Sequence, residues 1–130
     1  MAKWEVHLDC SIGFTVTNID RNTAELAFSK ARKVVLDTTK ITADNNVKIS
    51  EPKCDGYGNI DRPNKPWEID LYCDIEVTVT DVDADTKEQA IKNAWKIAQD
   101  NINIINTGDN VVPMGGGLEC DECLYTRLIK

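Results

Sequence analysis

The sequence predicts an α+β domain of the ferredoxin-like βαββαβ type, with two helices on one face of an antiparallel sheet, and three observations carry that expectation. The first is a self-match. Sliding the chain by 63 positions lays Trp4-Glu5-Val6-His7-Leu8-Asp9-Cys10 on Trp67-Glu68-Ile69-Asp70-Leu71-Tyr72-Cys73, and 15 of the 34 positions from Trp4 to Asp37 are identical. With only three Trp and five Cys in the chain, two of each falling in register exclude coincidence. The match resumes after a one-residue insertion at Asn46-Val47 over Asn110-Val111, and again at Cys54 over Cys120. The second is strict apolar alternation at the start of each copy. The third is helical periodicity behind a capping signal directly after each alternating stretch. The period is too long for a solenoid. The expectation is one domain of two repeats about a pseudo-twofold axis: repeat one over residues 4–54, a linker over 55–66, and repeat two over 67–123.

The elements follow in order. Trp4, Val6, Leu8, Cys10, Ile12, Phe14 and Val16 share one face of a first long strand, and Trp67, Ile69, Leu71, Cys73, Ile75, Val77 and Val79 share one face of its copy. Strands this long exceed the usual five or six residues, so a bulge near Gly13 or projection beyond the helices is expected. Helix starts are placed at Asn22 with Glu25, and at Asp85 with Glu88. Ala27, Phe28, Ala31, Val34 and Val35 make the apolar stripe of the first helix; Ala90, Ile91, Ala94, Trp95 and Ala98 make that of the second. Short apolar segments at 47–50 and 110–113 give the third strand of each half. The stretch 51–66, with Gly56, Gly58, Pro63 and Pro66, reads as a surface loop. A last segment, 124–129, is placed as an additional C-terminal strand covering an edge.

A chain of 130 residues can bury one sizeable core. Its net charge of −7 opposes direct binding to phosphate backbones and to anionic membranes, so neither nucleic acid nor membrane is an expected partner. No apolar run reaches the roughly 18 residues a span requires. The odd number of cysteines, five, argues against a secreted disulfide scaffold, and reduced thiols in the cytoplasm are expected.

If both helices cover one side of the sheet, the other side holds the alternate residues. From the two central strands these include Glu5, His7, Asp9, Glu68, Asp70, Tyr72, Asp74 and Glu76, six of them carboxylates. Like charges opposite one another on a sheet are mildly destabilising, so this face is the candidate docking surface for a basic protein partner, and otherwise a solvated surface. RNA-binding sheets of this plan carry aromatic and basic residues there; only Tyr72 fits. A lone histidine excludes mechanisms that require two, and no nucleophile elbow or Ser/His/Asp set accompanies it. Enzymatic activity is therefore not expected. Cys120-Asp121-Glu122-Cys123 is a CxxC that offers two zinc ligands, Cys120 and Cys123, with Cys54 expected at the far end of the sheet. No cofactor is otherwise implied. Pro113-Met114-Gly115-Gly116-Gly117 lacks the Lys-Ser/Thr of a phosphate loop and reads as a turn.

The run Val77-Thr78-Val79-Thr80-Asp81-Val82-Asp83-Ala84-Asp85-Thr86-Lys87-Glu88-Gln89-Ala90, a long alternating strand entering an acidic cap and an Ala-spaced helix, resembles small acidic phage-encoded proteins of the anti-defence, anti-CRISPR-like type. That resemblance implies an inhibitor that occupies the nucleic-acid site of a host protein, and it carries over no individual residue. The expected function is thus a non-enzymatic protein-binding module acting as a nucleic-acid mimic. The alternative is a small-molecule or metal-binding regulatory domain seated between the halves. The long strands also leave room for a homodimer.

Overall fold

The structure, a computed structural model, describes residues 2–61, 66–114 and 118–129, and the side chains of all of these except 57–61 and 121. In chain order the elements are β1 (Ala2–Ile19), α1 (Ala24–Thr38), β2 (Thr39–Ala43), β3 (Val47–Ile49), β4 (Lys53–Asp61), β5 (Trp67–Ala84), α2 (Lys87–Asn101), β6 (Ile102–Asn106), β7 (Val111–Pro113) and β8 (Glu119–Ile129). The fold is α+β: two helices and a large, mostly antiparallel sheet.

Period-two alternation makes β1 and β5. Val6, Leu8, Cys10, Ile12, Phe14 and Val16 are buried on β1, and Ile69, Leu71, Cys73, Ile75, Val77 and Val79 on β5. Near the end of each strand one residue turns left-handed, Asn18 at φ 57° and Asp81 at φ 54°. Asn and Asp tolerate that region better than other side chains, and the extra residue of the resulting bulge resets the alternation so that Ile19 and Val82 point inward again. The bulges therefore sit at these two sites and not near Gly13. They allow each strand to run for 18 residues.

The two long strands lie side by side, antiparallel, from Ala2 opposite Ala84 to Ile19 opposite Trp67. Two short strands line up along each outer edge. Against β5, β4 covers Glu68 to Asp74 and β3 covers Val77 to Val79. Against β1, β8 covers Lys3 to Ser11 and β7 covers Phe14 to Val16. The strand order is β3-β5-β1-β7, with β4 beside β5 and β8 beside β1. Contacts recur at corresponding places in the two halves. The Trp4 indole N–H donates to the Ala84 carbonyl at 3.0 Å, and that of Trp67 to the Arg21 carbonyl at 2.8 Å. The Asn46 side-chain amide donates to the Thr80 carbonyl, and that of Asn110 to the Thr17 carbonyl.

Both helices pack on the buried face of this sheet. Each starts one residue later than the sequence suggests, because the capping oxygens are the hydroxyls of Thr23 and Thr86, which accept from the N–H groups of Leu26 and Gln89 at 3.2 Å. Asn22 and Asp85 stand just outside. Ala27, Ala31 and Val35 of α1, and Ala90, Ala94 and Ala98 of α2, are the buried stripe; such small residues bring the helix axes close to the sheet. Each helix runs directly into a five-residue strand, and these two, β2 and β6, pair with each other in a small second sheet.

Two further expectations are corrected. The sheet holds more strands than a βαββαβ plan provides, and the proposed surface loop 51–66 contains β4. The expected C-terminal edge strand is present and begins earlier, as β8 against β1. The Gly115-Gly116-Gly117 turn lies outside the described residues. Among the described helices none is long and apolar enough to cross a membrane.

Candidate functional site

The face opposite the helices gathers the candidate residues from both central strands. Across the β1–β5 ladder, His7 stands opposite Thr78, Asp9 opposite Glu76, Ser11 opposite Asp74, Gly13 opposite Tyr72 and Thr15 opposite Asp70. The edge strands extend the surface. Glu122 of β8 is opposite Asp9, and Glu119 is opposite Ser11. One row thus carries Glu122, Asp9 and Glu76 on three neighbouring strands, which lie roughly 4.8 Å apart. Beyond Glu76, the junction of β3 and β4 contributes Glu51, and Asp9, Glu51, Lys53, Asp74 and Glu76 line a shallow cavity of about 160 Å³.

The charges differ along the face. At the end nearest the N-terminus, Glu5 is half-buried and accepts from Arg127 at 2.8 Å and from His7 Nε2 at 3.1 Å. His7 Nδ1 lies 3.1 Å from the Thr78 hydroxyl, and its ring stacks on Tyr125 with centroids 4.0 Å apart. A neutral imidazole with the proton on Nε2 satisfies both bonds. The hydrogen bond from His7, with the Arg127 charge in support, holds the Glu5 carboxyl below its ordinary pKa of 4.5 against the opposing effect of desolvation. In the middle of the face the situation is reversed. Among the described residues the side chains of Asp9, Glu68, Asp74 and Glu76 make no ion pair or hydrogen bond, and Asp70 has only the Thr15 hydroxyl at 2.9 Å. Glu68, Tyr72, Asp74 and Glu76 are exposed. Glu5 and His7 therefore belong to a self-satisfied cluster, while Glu68, Asp74 and Glu76 face water, and half-buried Asp9 likewise has no ion-pair partner among the described residues.

Among the described residues no polar or charged side chain is buried, and no three of His, Cys, Asp and Glu converge closely enough to hold a metal ion. The cysteines are arranged differently from expectation. Cys10 is bonded to Cys120 and Cys54 to Cys73, leaving Cys123 as the free thiol. Four of the five cysteines are thus oxidised, correcting the expectation of reduced thiols, and the Cys120 sulfur is not a free ligand beside Cys123. Cys54 and Cys120 lie on opposite edges of the sheet, in β4 and β8.

The pairing has a simple structural basis. Each disulfide joins a central strand to the edge strand beside it, and the cysteine on the central strand points into the core because it follows the apolar alternation. On β8 a one-residue shift of register at Asp121 puts Cys120 opposite Cys10 and Cys123 opposite Leu8, so both members of the CxxC face α2. An equivalent shift at Asp55 follows Cys54 in β4. Without a bulge, residues three apart on a strand point to opposite faces.

Sequence reasoning does not assign Glu119, Glu122, Tyr125 and Arg127 to the candidate face. The segment that contains them lacks clean alternation because its bulges break the period. The Cys-Asp dipeptide shared by 54–55 and 120–121 was the signal that could have placed it against a central strand. No protein family matches the chain, and no match is found among curated proteins or solved structures.

Proposed function

We propose that this chain is a non-enzymatic binding module, built by internal duplication on the ferredoxin-like plan, that docks its open sheet face on a basic protein surface. The observation that carries the reading is the unspent negative charge of Asp9, Glu68, Asp74 and Glu76 on a face that neither helix covers. Electrostatic complementarity of this kind mainly sets association rate and partner choice. A site that normally grips nucleic acid presents the matching array of Lys and Arg, so a nucleic-acid-handling host protein is the favoured target, with the acidic face standing in for a phosphate backbone in the manner of a phage-type inhibitor. The contacts in this reading are Asp9, Glu68, Asp70, Tyr72, Asp74 and Glu76, extended by Glu122 and Glu119. Glu5 and His7 help to shape the end of the surface. No cofactor enters the reading.

The test is capture from a nuclease-treated bacterial lysate on immobilised protein, with the Asp70→Lys/Asp74→Lys/Glu76→Lys variant run beside wild type. Those three side chains are on the solvent face, so circular dichroism of the variant should match wild type. Expected is one basic, nucleic-acid-handling protein retained by wild type alone and released as salt shortens the Debye length below about 8 Å. Equal retention by the variant would overturn the proposal.

A further inference from the structure

We propose that the Cys10–Cys120 disulfide, and not its counterpart Cys54–Cys73, is a thiol–disulfide exchange site that admits a dithiol reductant through the pocket between α2 and β8. The two bonds occupy corresponding places: each ties a central strand to its neighbouring edge strand just before a register shift. Their surroundings differ. Cys54 and Cys73 are each 1% exposed, and the cavity they border, beneath Val35, Leu36 and Ile41, holds only about 30 Å³. Cys10 is equally buried, but Cys120 is half-buried and lines a pocket of about 200 Å³ with Leu8, Ile91, Lys92, Trp95, Glu122 and the free thiol Cys123.

Exchange requires a thiolate to reach one sulfur, so access selects which disulfide reacts and which of its sulfurs is attacked. Cys120 Sγ is that sulfur. Lys92 lines the same pocket as the Glu122 carboxylate and offsets its repulsion of an arriving thiolate, and exposed Trp95 offers an apolar wall. The first thiolate of the dithiol bonds to Cys120 Sγ as the Cys10–Cys120 bond breaks, and its electron pair leaves on Cys10 Sγ, which takes a proton from the medium. The second thiol of the reductant loses its proton and attacks its own mixed disulfide. The products are two protein thiols and one oxidised, cyclic reductant. With the bond open, β8 is held to β1 by main-chain hydrogen bonds and side-chain contacts alone, while β4 stays covalently tied to β5. This inference is independent of the docking proposal.

The test is timed reduction of the folded, oxidised protein with dithiothreitol, acid quenching, alkylation and peptide mass mapping. Cys10 and Cys120 are expected to be labelled about tenfold or more ahead of Cys54 and Cys73, with the difference vanishing in concentrated guanidinium chloride, where access is equal. Opening of both bonds at one rate, prior opening of Cys54–Cys73, or a preference that survives denaturation would each overturn the proposal.

Discussion

The two edges of the sheet follow one backbone plan and differ in what seals them. At the β4 edge, α1 sends Arg32 to Asp55 at 3.3 Å, bridging helix to strand beside a small cavity. At the β8 edge the residue 63 positions on from Arg32 is Trp95, 44% exposed over the larger pocket that Cys120 lines. Helix caps, bulges and disulfides are held in common, whereas the residues that close the gap between helix and edge strand are not. Once a covalent bond anchors the edge strand, the packing above it can change without losing the fold, and one edge can become open chemistry while the other stays sealed.

That comparison can be broken most forcefully by removing the two disulfides separately. On the loop-entropy account, Cys10→Ala/Cys120→Ala, which opens a bond spanning 110 residues, should cost about 5 kcal/mol in urea unfolding, and Cys54→Ala/Cys73→Ala, spanning 19, about 3 kcal/mol. Equal losses would show that strain or denatured-state structure, not loop length, sets the difference between the edges. A smaller effect tests what the halves share. Thr23→Ala and Thr86→Ala each remove one N-cap acceptor, and each should lower stability by about 1 kcal/mol; a marked inequality would mean that the two helices are not equally dependent on their caps.

The sealing ion pair is weaker still. Both partners are well exposed, so Arg32→Ala should cost no more than about 1 kcal/mol, while dithiol reduction of Cys54–Cys73 becomes faster if the bridge helps to close that edge. The last test is of pH. Because the folded Glu5 carboxyl is held below 4.5, its contribution to stability is fully present above that value and is lost as pH falls from 4.5 through the lowered folded value. Glu5→Gln should therefore flatten the acid limb of the stability curve, and Arg127→Ala should flatten it less, since the hydrogen bond from His7 is the larger cause of the shift. An unchanged acid limb in Glu5→Gln would remove this assignment.

Much of the architecture was legible because its signals are periodic. The inward residues of β1 and β5 follow period two almost throughout, and the apolar stripes of α1 and α2 follow helical spacing. The candidate face was legible for the same reason, since the alternate residues of the two central strands must share it. Other features depend on information that local pattern does not carry. Thr23 and Thr86 each stand beside another good capping residue, so composition alone does not choose between neighbours. Strand β4 lies in a glycine-containing stretch whose bulges hide its alternation, and its pairing with β5 is a tertiary fact. The disulfides join residues as far apart as Cys10 and Cys120; an odd cysteine total argued against them, yet the fifth cysteine is merely left over. Glu122 and Glu119 joined the acidic face only because β8 docks beside β1.

The central pairing also dictates an order of events during synthesis. Every rung between β1 and β5 joins residues from opposite halves, from Ile19 with Trp67 to Ala2 with Ala84, and β3 and β4 of the first half pair with β5 of the second. The first half therefore leaves the ribosome with an 18-residue amphipathic strand whose partners among the described residues, β5, β7 and β8, all lie in the second half. At roughly 5–20 residues per second that strand waits for several seconds before residue 84 exists. Contacts this distant in sequence close slowly, and the nascent chain has to keep its sticky ribbon out of foreign sheets until its other half arrives.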